Sequence, residues 1–217
     1  MVHAPFLEAA LAGDRPGARA CLRDLLASGY DLERLCFEVL EPALVEVGDR
    51  WLSNELSIAD EHLVSSIVEH LLSELGERLA PPGPVAPVAV LASVAGEDHR
   101  IGQQMIGLLL NEAGWQVVTL GANMPAEPLV HFVKRLKPSL VGLSATMDSH
   151  VAATARTIAA LRAVPELRAI PVVVGGAPFR RDPGVAMRIG ADQAACDGRE
   201  LLAYVRALSP AVAQEAP

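Results

Sequence analysis

The sequence predicts an α/β protein: a flavodoxin- or Rossmann-like five-stranded parallel sheet preceded by an all-α four-helix bundle. Three observations carry that expectation. From residue 88 onward short apolar runs alternate with amphipathic ones, the pattern of right-handed βαβ units whose sheet is covered on both faces. Before residue 80 the apolar positions recur at helical spacing. Between the two lies Pro81-Pro82-Gly83-Pro84-Val85-Ala86-Pro87, which reads as a stiff linker. The expected domains are therefore 1–80, a bundle, and 88–210, a sheet domain, joined by 81–87.

In the bundle, Phe6 to Leu11, Gly17 to Leu26, Leu32 to Val47 and Ile58 to Leu79 read as helices. Gly13-Asp14, Ser28-Gly29-Tyr30-Asp31 and Ser53-Asn54 break them. Leu35, Val39, Leu40, Ala43, Leu44 and Val47 mark the apolar stripe of the third. Ser57 is placed to cap the fourth, with Asp60 three residues on in the reciprocal position. In the sheet domain the expected strands are 88–94, 116–120, 140–145, 171–174 and a weak one at 193–196. Helices are expected at 103–113, 126–137, 150–163, 184–189 and 199–208. Five such strands suit a 2-1-3-4-5 order, with the switch point beside the first strand.

Composition narrows the function classes. The 217 residues are 51% hydrophobic but only 4% aromatic, so the core is aliphatic. Apolar runs stop well short of the ~20 residues that span a membrane, and no leader pattern opens the chain. Cys21, Cys36 and Cys196 show neither metal-ligand spacing nor a pairing scheme, which suits a reducing cytoplasm. The net charge of −8 comes without a basic stripe, so direct nucleic-acid binding is not expected.

The most chemical stretch is Gly96-Glu97-Asp98-His99-Arg100-Ile101-Gly102, directly after the first strand. Ligands of open α/β sheets bind at the C-terminal strand edge. A histidine there, with a carboxylate two residues earlier for its other ring nitrogen, is built like a supported metal ligand. Taken alone it is equally a solvated loop histidine. The third strand ends in Ser144-Ala145-Thr146 and the fourth in Gly175-Gly176, small residues that let a ligand approach the backbone. All three features converge on one edge.

This set resembles the cobalamin-binding domain of methionine synthase, corrinoid-carrying methyltransferase proteins and mutases. That family's Asp-x-His-x-x-Gly, Ser-x-Leu or Ser-x-Thr, and Gly-Gly appear here as Glu97-x-His99-x-x-Gly102, Ser144-x-Thr146 and Gly175-Gly176. The resemblance implies that His99 replaces the cofactor's own base as lower axial ligand to cobalt. It implies that Glu97, Asp98, Arg100, Ile101, Gly102, Ser144, Thr146, Gly175 and Gly176 contact the cofactor, whose nucleotide tail enters the slot. Glu97 stands where the family more often has Asp, which changes the reach of its link to the histidine.

A second resemblance lies in the bundle. Trp51, nine residues, then Glu61-His62 reads on its own as a core tryptophan and a solvated helix face. It is similar to the signature of the four-helix cap in cobalamin-dependent photoreceptors, including light-responsive transcription regulators. The similarity implies that Trp51 packs on the adenosyl group of adenosylcobalamin and that Glu61 and His62 contact it. Two departures are visible. The bundle begins almost at Met1, leaving no winged-helix domain before it. Leu52 stands where those regulators place a second cobalt-binding histidine. The photocobilin subgroup, which resembles this arrangement, also binds biliverdin; no residue in the sequence singles out a bilin site.

The expectation is an adenosylcobalamin light sensor, not an enzyme, that changes conformation or oligomeric state on photolysis. It would act on a homo-oligomer or a partner protein. The alternatives are a corrinoid methyl-carrier protein and a cobalamin sensor that does not respond to light.

Overall fold

The computed structural model describes residues 1–195 and 198–208. Two compact units divide the chain, Met1–Arg78 and Leu79–Pro217.

The first unit is helical. α1 (Ala4–Leu11) and α2 (Arg15–Ala27) are separated by Gly13 in the left-handed region, with Asp14 accepting from the Gly17 N–H to cap α2. The expected single helix 32–47 is instead α3 (Leu32–Arg34), a π-helical stretch Leu35–Leu40, and α4 (Glu41–Leu52). Pro42 explains the widened turn. Its ring has no N–H and would collide with the carbonyl four residues back, so the helix takes up slack and Glu41 N–H reaches Cys36 O, five residues earlier. Phe6, Leu22, Leu35, Val39, Leu40, Val47, Val64, Ile67, Val68 and Leu71 form the core of this unit.

α4 and α5 (Ile58–Gly76) are joined by a short turn in which Asn54 is left-handed at φ 60°. The start of α5 is fixed by a reciprocal cap. Ser57 Oγ accepts from Asp60 N–H at 3.2 Å and Asp60 accepts from Ser57 N–H at 2.8 Å. Trp51, at the end of α4, and Glu61-His62, in the first turn of α5, thus share one end of the helical unit.

The second unit is the sheet domain. All five strands are parallel, in the order β2-β1-β3-β4-β5. They are β1 (Val88–Ser93), β2 (Gln116–Thr119), β3 (Leu140–Ser144), β4 (Val172–Gly175) and β5 (Gln193–Ala195). The helices are α6 (Ile101–Glu112), α7 (Ala126–Leu136), α8 (Val151–Ala163), α9 (Ala177–Arg181), α10 (Pro183–Arg188) and α11 (Gly198–Leu208). The expected strands and order hold to within about a residue at each end, and Cys196, expected in the last strand, lies outside the described residues. α9 was not expected: at five residues it is too short to show a helical period in sequence.

The two faces of the sheet differ. Val90, Ala92, Val94, Val141, Leu143, Val172 and Val174 pack with Leu129 and Val133 of α7 and Ile158 and Leu161 of α8 into one core. Strand period assigns the alternate residues to the other face, where α6 packs. There the last register level reads Ser93, Ser144, Gly175, Ala195 across four strands. One level earlier Leu91 lies over Gly142, whose built Cβ would come within 2.6 Å of the leucine. This face therefore has a floor of serine and glycine at its C-terminal edge, beside the switch point between β1 and β3.

Candidate functional site

The site grows from the end of β1. Glu97 N–H closes a turn onto Val94 O at 2.9 Å, and Gly96 within it is left-handed at φ 86°. Asn123, after β2, braces the turn from outside. Its side chain accepts from Gly96 N–H at 2.8 Å, and its own N–H donates to Glu97 O at 2.8 Å. The next link is Ser93, fully buried, whose hydroxyl donates to His99 O at 2.8 Å and accepts from the Gln103 amide at 2.9 Å. The backbone that carries His99 is therefore tied to both β1 and α6.

Glu97 is 0% exposed, and its carboxylate accepts four N–H groups. Oε1 takes His99 N–H at 2.9 Å and His99 Nδ1 at 2.5 Å. Oε2 takes His150 Nδ1 at 2.8 Å and, more closely, the Thr146 backbone N–H. Burial opposes ionisation, yet the hydrogen bonds from His99, Thr146 and His150 outweigh it and hold the carboxyl at about 2, well below its ordinary value. An ionised carboxylate only accepts, so each histidine must carry its proton on Nδ1. That tautomer puts the lone pair of His99 on Nε2, on a side chain 63% exposed. His150 is enclosed, at 14%. The longer glutamate does reach the histidine, and it bridges the β1 and β3 loops at the same time.

Ser144 and Gly175 share a register level with Ser93, while Gly102 stands in the first turn of α6 with nothing near its built Cβ. Gly176 has a different reason to be glycine. Its φ is 113°, and a Cβ would sit 1.9 Å from the Ala145 carbonyl oxygen, so the strand ends themselves demand it. At Gly175, by contrast, a Cβ would make only ordinary contacts, the nearest with the Ala195 carbonyl oxygen at 3.8 Å. Asp98 and Arg100 are exposed beside His99, and Ile101 opens α6. In the helical unit, Trp51 is 42% and Leu52 72% exposed, and His62 Nδ1 is bonded to Glu61 Oε2 at 2.6 Å. Glu61 also accepts from Ser65 Oγ at 2.7 Å, which orients it from one turn below.

Two residues that matter here were not singled out from sequence, His150 and Gln103. The first lies 53 positions from Glu97, and only the β3 loop brings it there. The second is 4% exposed on α6, and its Oε1 is buried with no hydrogen-bond partner among the described residues, as is Gln104 Oε1. A buried acceptor left unpaired is unfavourable unless a ligand donor completes it. Together with the serine–glycine floor, these acceptors suit a hydroxyl-bearing nucleotide tail.

A parallel sheet whose switch-point loop presents one exposed, carboxylate-backed imidazole beside a serine–glycine floor places an imidazole at the edge where open α/β sheets bind ligands. Sequence comparison makes the class specific. A B12-binding domain model matches residues 87–205 and a second B12-binding domain model matches residues 2–75. The chain belongs to the cobalamin (B12)-binding domain family. It is 38% identical over 185 residues to the HTH-type transcriptional repressor CarH of Myxococcus xanthus, covering 85% of this chain and 60% of that protein. It is 28% identical over 194 residues to the trimethylamine corrinoid protein of Methanosarcina barkeri, covering 88% of each. Among solved structures, the Methanosarcina barkeri monomethylamine corrinoid protein aligns over 96% of this chain and 98% of its own at TM-score 0.74 and 23% identity, a likeness of fold. The chain spans 54–60% of the length of the two repressors it matches, CarH and CarA. No helix among the described residues is long and apolar enough to cross a membrane.

Proposed function

We propose that this chain is an adenosylcobalamin-dependent light sensor whose sheet domain holds the cofactor through His99. The observation that carries the cofactor reading is the exposed His99 imidazole, held by a buried carboxylate in the tautomer whose lone pair is on Nε2. Gln103 and the Ser144–Gly175 floor would receive the nucleotide tail, and Thr146 serves through its backbone N–H to Glu97. Bound adenosylcobalamin supplies a cobalt–carbon bond that visible light cleaves.

The light reading rests on the helical unit. Trp51 is a large aromatic left 42% exposed at the end of α4, at the same end as Glu61-His62, which suits a cover for the adenosyl group. With the adenosyl group gone, Trp51 would lose its contact and the helices could repack, a local change able to bias an interface between copies or with a partner. The repressor CarH, 38% identical, supports a regulatory output.

A second reading, a methyl carrier for a separate methyltransferase, is favoured by the match to the trimethylamine corrinoid protein over 88% of both chains. The test is reconstitution with adenosylcobalamin in the dark, followed by absorption and elution volume before and after visible light. A sensor shows rapid photolysis and a changed elution volume. Slow photolysis with unchanged elution rejects it in favour of a carrier or of a cofactor sensor that ignores light. Red absorbance after expression with biliverdin would add the second chromophore, and its absence would leave cobalamin as the sole one.

A further inference from the structure

α4 buries one side and presents the other to solvent. Ala43 and Val47 are buried, whereas Val45, between them in sequence, is 51% exposed and Leu52 is 72% exposed. Spaced by four, four and three residues, Glu41, Val45, Asp49 and Leu52 stand on one face of the helix. That face is an apolar knob with one carboxylate a turn before it and another a turn after it. The same helical unit carries the counterpart. Between α2 and α5 lies a dimple of about 40 Å³ whose floor is Leu22, Leu71 and Leu75 and whose rim holds Arg19, Arg23 and Arg78. Glu74 engages the Arg19 guanidinium through both of its oxygens and so fixes it on the rim. Arg23, 70% exposed, pairs with its equally exposed neighbour Asp24, a contact of little worth in water. On a chain of net charge −8, an apolar hollow framed by three arginines reverses the local sign.

We propose that α4 of one copy docks on the α2–α5 dimple of a second copy, with Val45 entering the hollow and Glu41 and Asp49 meeting its arginines. The dimple is far below the ~300 Å³ that a small-molecule site needs, so its occupant is a side chain. The chain itself displays the side chain that fits, a small apolar one between two carboxylates. An apolar centre ringed by charge pairs is the anatomy of a specific contact. Elsewhere the acidic surface of one copy repels that of another, which favours this approach over others. The two faces differ, so the contact is heterologous, and association continues past the dimer unless a ring closes. It is the size of one helix face and therefore weak. α4 is also the helix that ends in Trp51, which would give the proposed sensor an interface on its moving part. The docking depends on neither cobalamin nor light and is tested without them.

Sedimentation velocity of the full, cofactor-free chain is run from about 5 to 500 µM, the range in which contacts this small associate. Wild type should gain mass with concentration. Val45→Gln puts an amide into the apolar hollow, and Arg23→Glu sets a carboxylate against Glu41 and Asp49. Each should raise the apparent dissociation constant about tenfold or more. Both positions are exposed, so circular dichroism should report wild-type helix content in each variant. Mixed one to one, the two variants should form a dimer and stop there. The unaltered α4 of the Arg23→Glu copy fits the unaltered dimple of the Val45→Gln copy, while the remaining two faces are both spoiled. A wild type that stays monomeric throughout overturns the proposal. So does a variant that associates like wild type, or a mixture that stays monomeric or grows beyond the dimer.

Discussion

Replacing Glu97 with Gln tests the buried carboxylate directly. The substitution keeps shape and volume but turns one oxygen into an NH2 group. Four N–H donors converge on this side chain, so an amide oxygen can serve one pair while the amide nitrogen faces the other pair. The magnitude follows from linkage. A carboxyl whose value falls from 4.5 to about 2 on folding contributes about 3 kcal/mol of stability when ionised. Because its folded value is the lower one, that stability is present above pH ~4.5 and is lost as pH falls through about 2. Glu97→Gln should therefore cost the sheet domain about 3 kcal/mol at pH 7, with the gap between wild type and variant closing below pH ~4.5. Trp115, 1% exposed in the sheet domain, reports its unfolding by fluorescence in denaturant, with Trp51→Phe as the common background so that it is the sole reporter. A variant of wild-type stability at pH 7, or a gap that stays constant down to pH 2, would refute the account of Glu97 as an ionised acceptor.

Trp51→Ala should cost the fold little, within about 0.5 kcal/mol as for other exposed positions, because the ring is 42% exposed. Titration should show adenosylcobalamin weakened about tenfold, ~1.4 kcal/mol, and hydroxocobalamin far less; equal weakening would reassign the tryptophan to the bundle core. Gly102→Ala, with open space at its Cβ inside α6, should leave thermal stability equal or raised by ~0.5–1 kcal/mol while lowering cobalamin affinity, which calorimetry reads. Gly176→Ala should instead fail in the fold, since its Cβ would overlap the Ala145 carbonyl, and thermal unfolding of the cofactor-free protein checks this.

Much of this fold is written in local patterning. Strands β1, β3 and β4 are largely apolar runs, as expected where a sheet is covered on both faces, and their alternation with amphipathic stretches leaves few topologies open. The Glu97–His99 pairing was legible because two residues in one loop can meet without help from the rest of the chain. His150 was not, because a histidine 53 positions away becomes a partner only when β3 lies beside β1. Gln103 hid for a similar reason: its role rests on burial against Ser93, which sequence spacing does not report. The π-helical stretch Leu35–Leu40 escaped because its apolar spacing continues the helical period, and the cause, Pro42, also suits the first turn of a new helix. Gly176 was visible as a glycine, but its reason, a carbonyl of the neighbouring strand, needed the pairing of β3 with β4.

The central claim is that His99 carries cobalt. Electron paramagnetic resonance of the reduced, cobalt(II) form of the cofactor bound to protein labelled with nitrogen-15 histidine tests it most directly. An axial nitrogen-14 splits each cobalt line into a triplet, and an axial nitrogen-15 into a doublet. The unlabelled cofactor on labelled protein should give doublets, which vanish in His99→Ala. Triplets, showing the cofactor's own base still on the metal, or doublets that survive His99→Ala, would contradict the account.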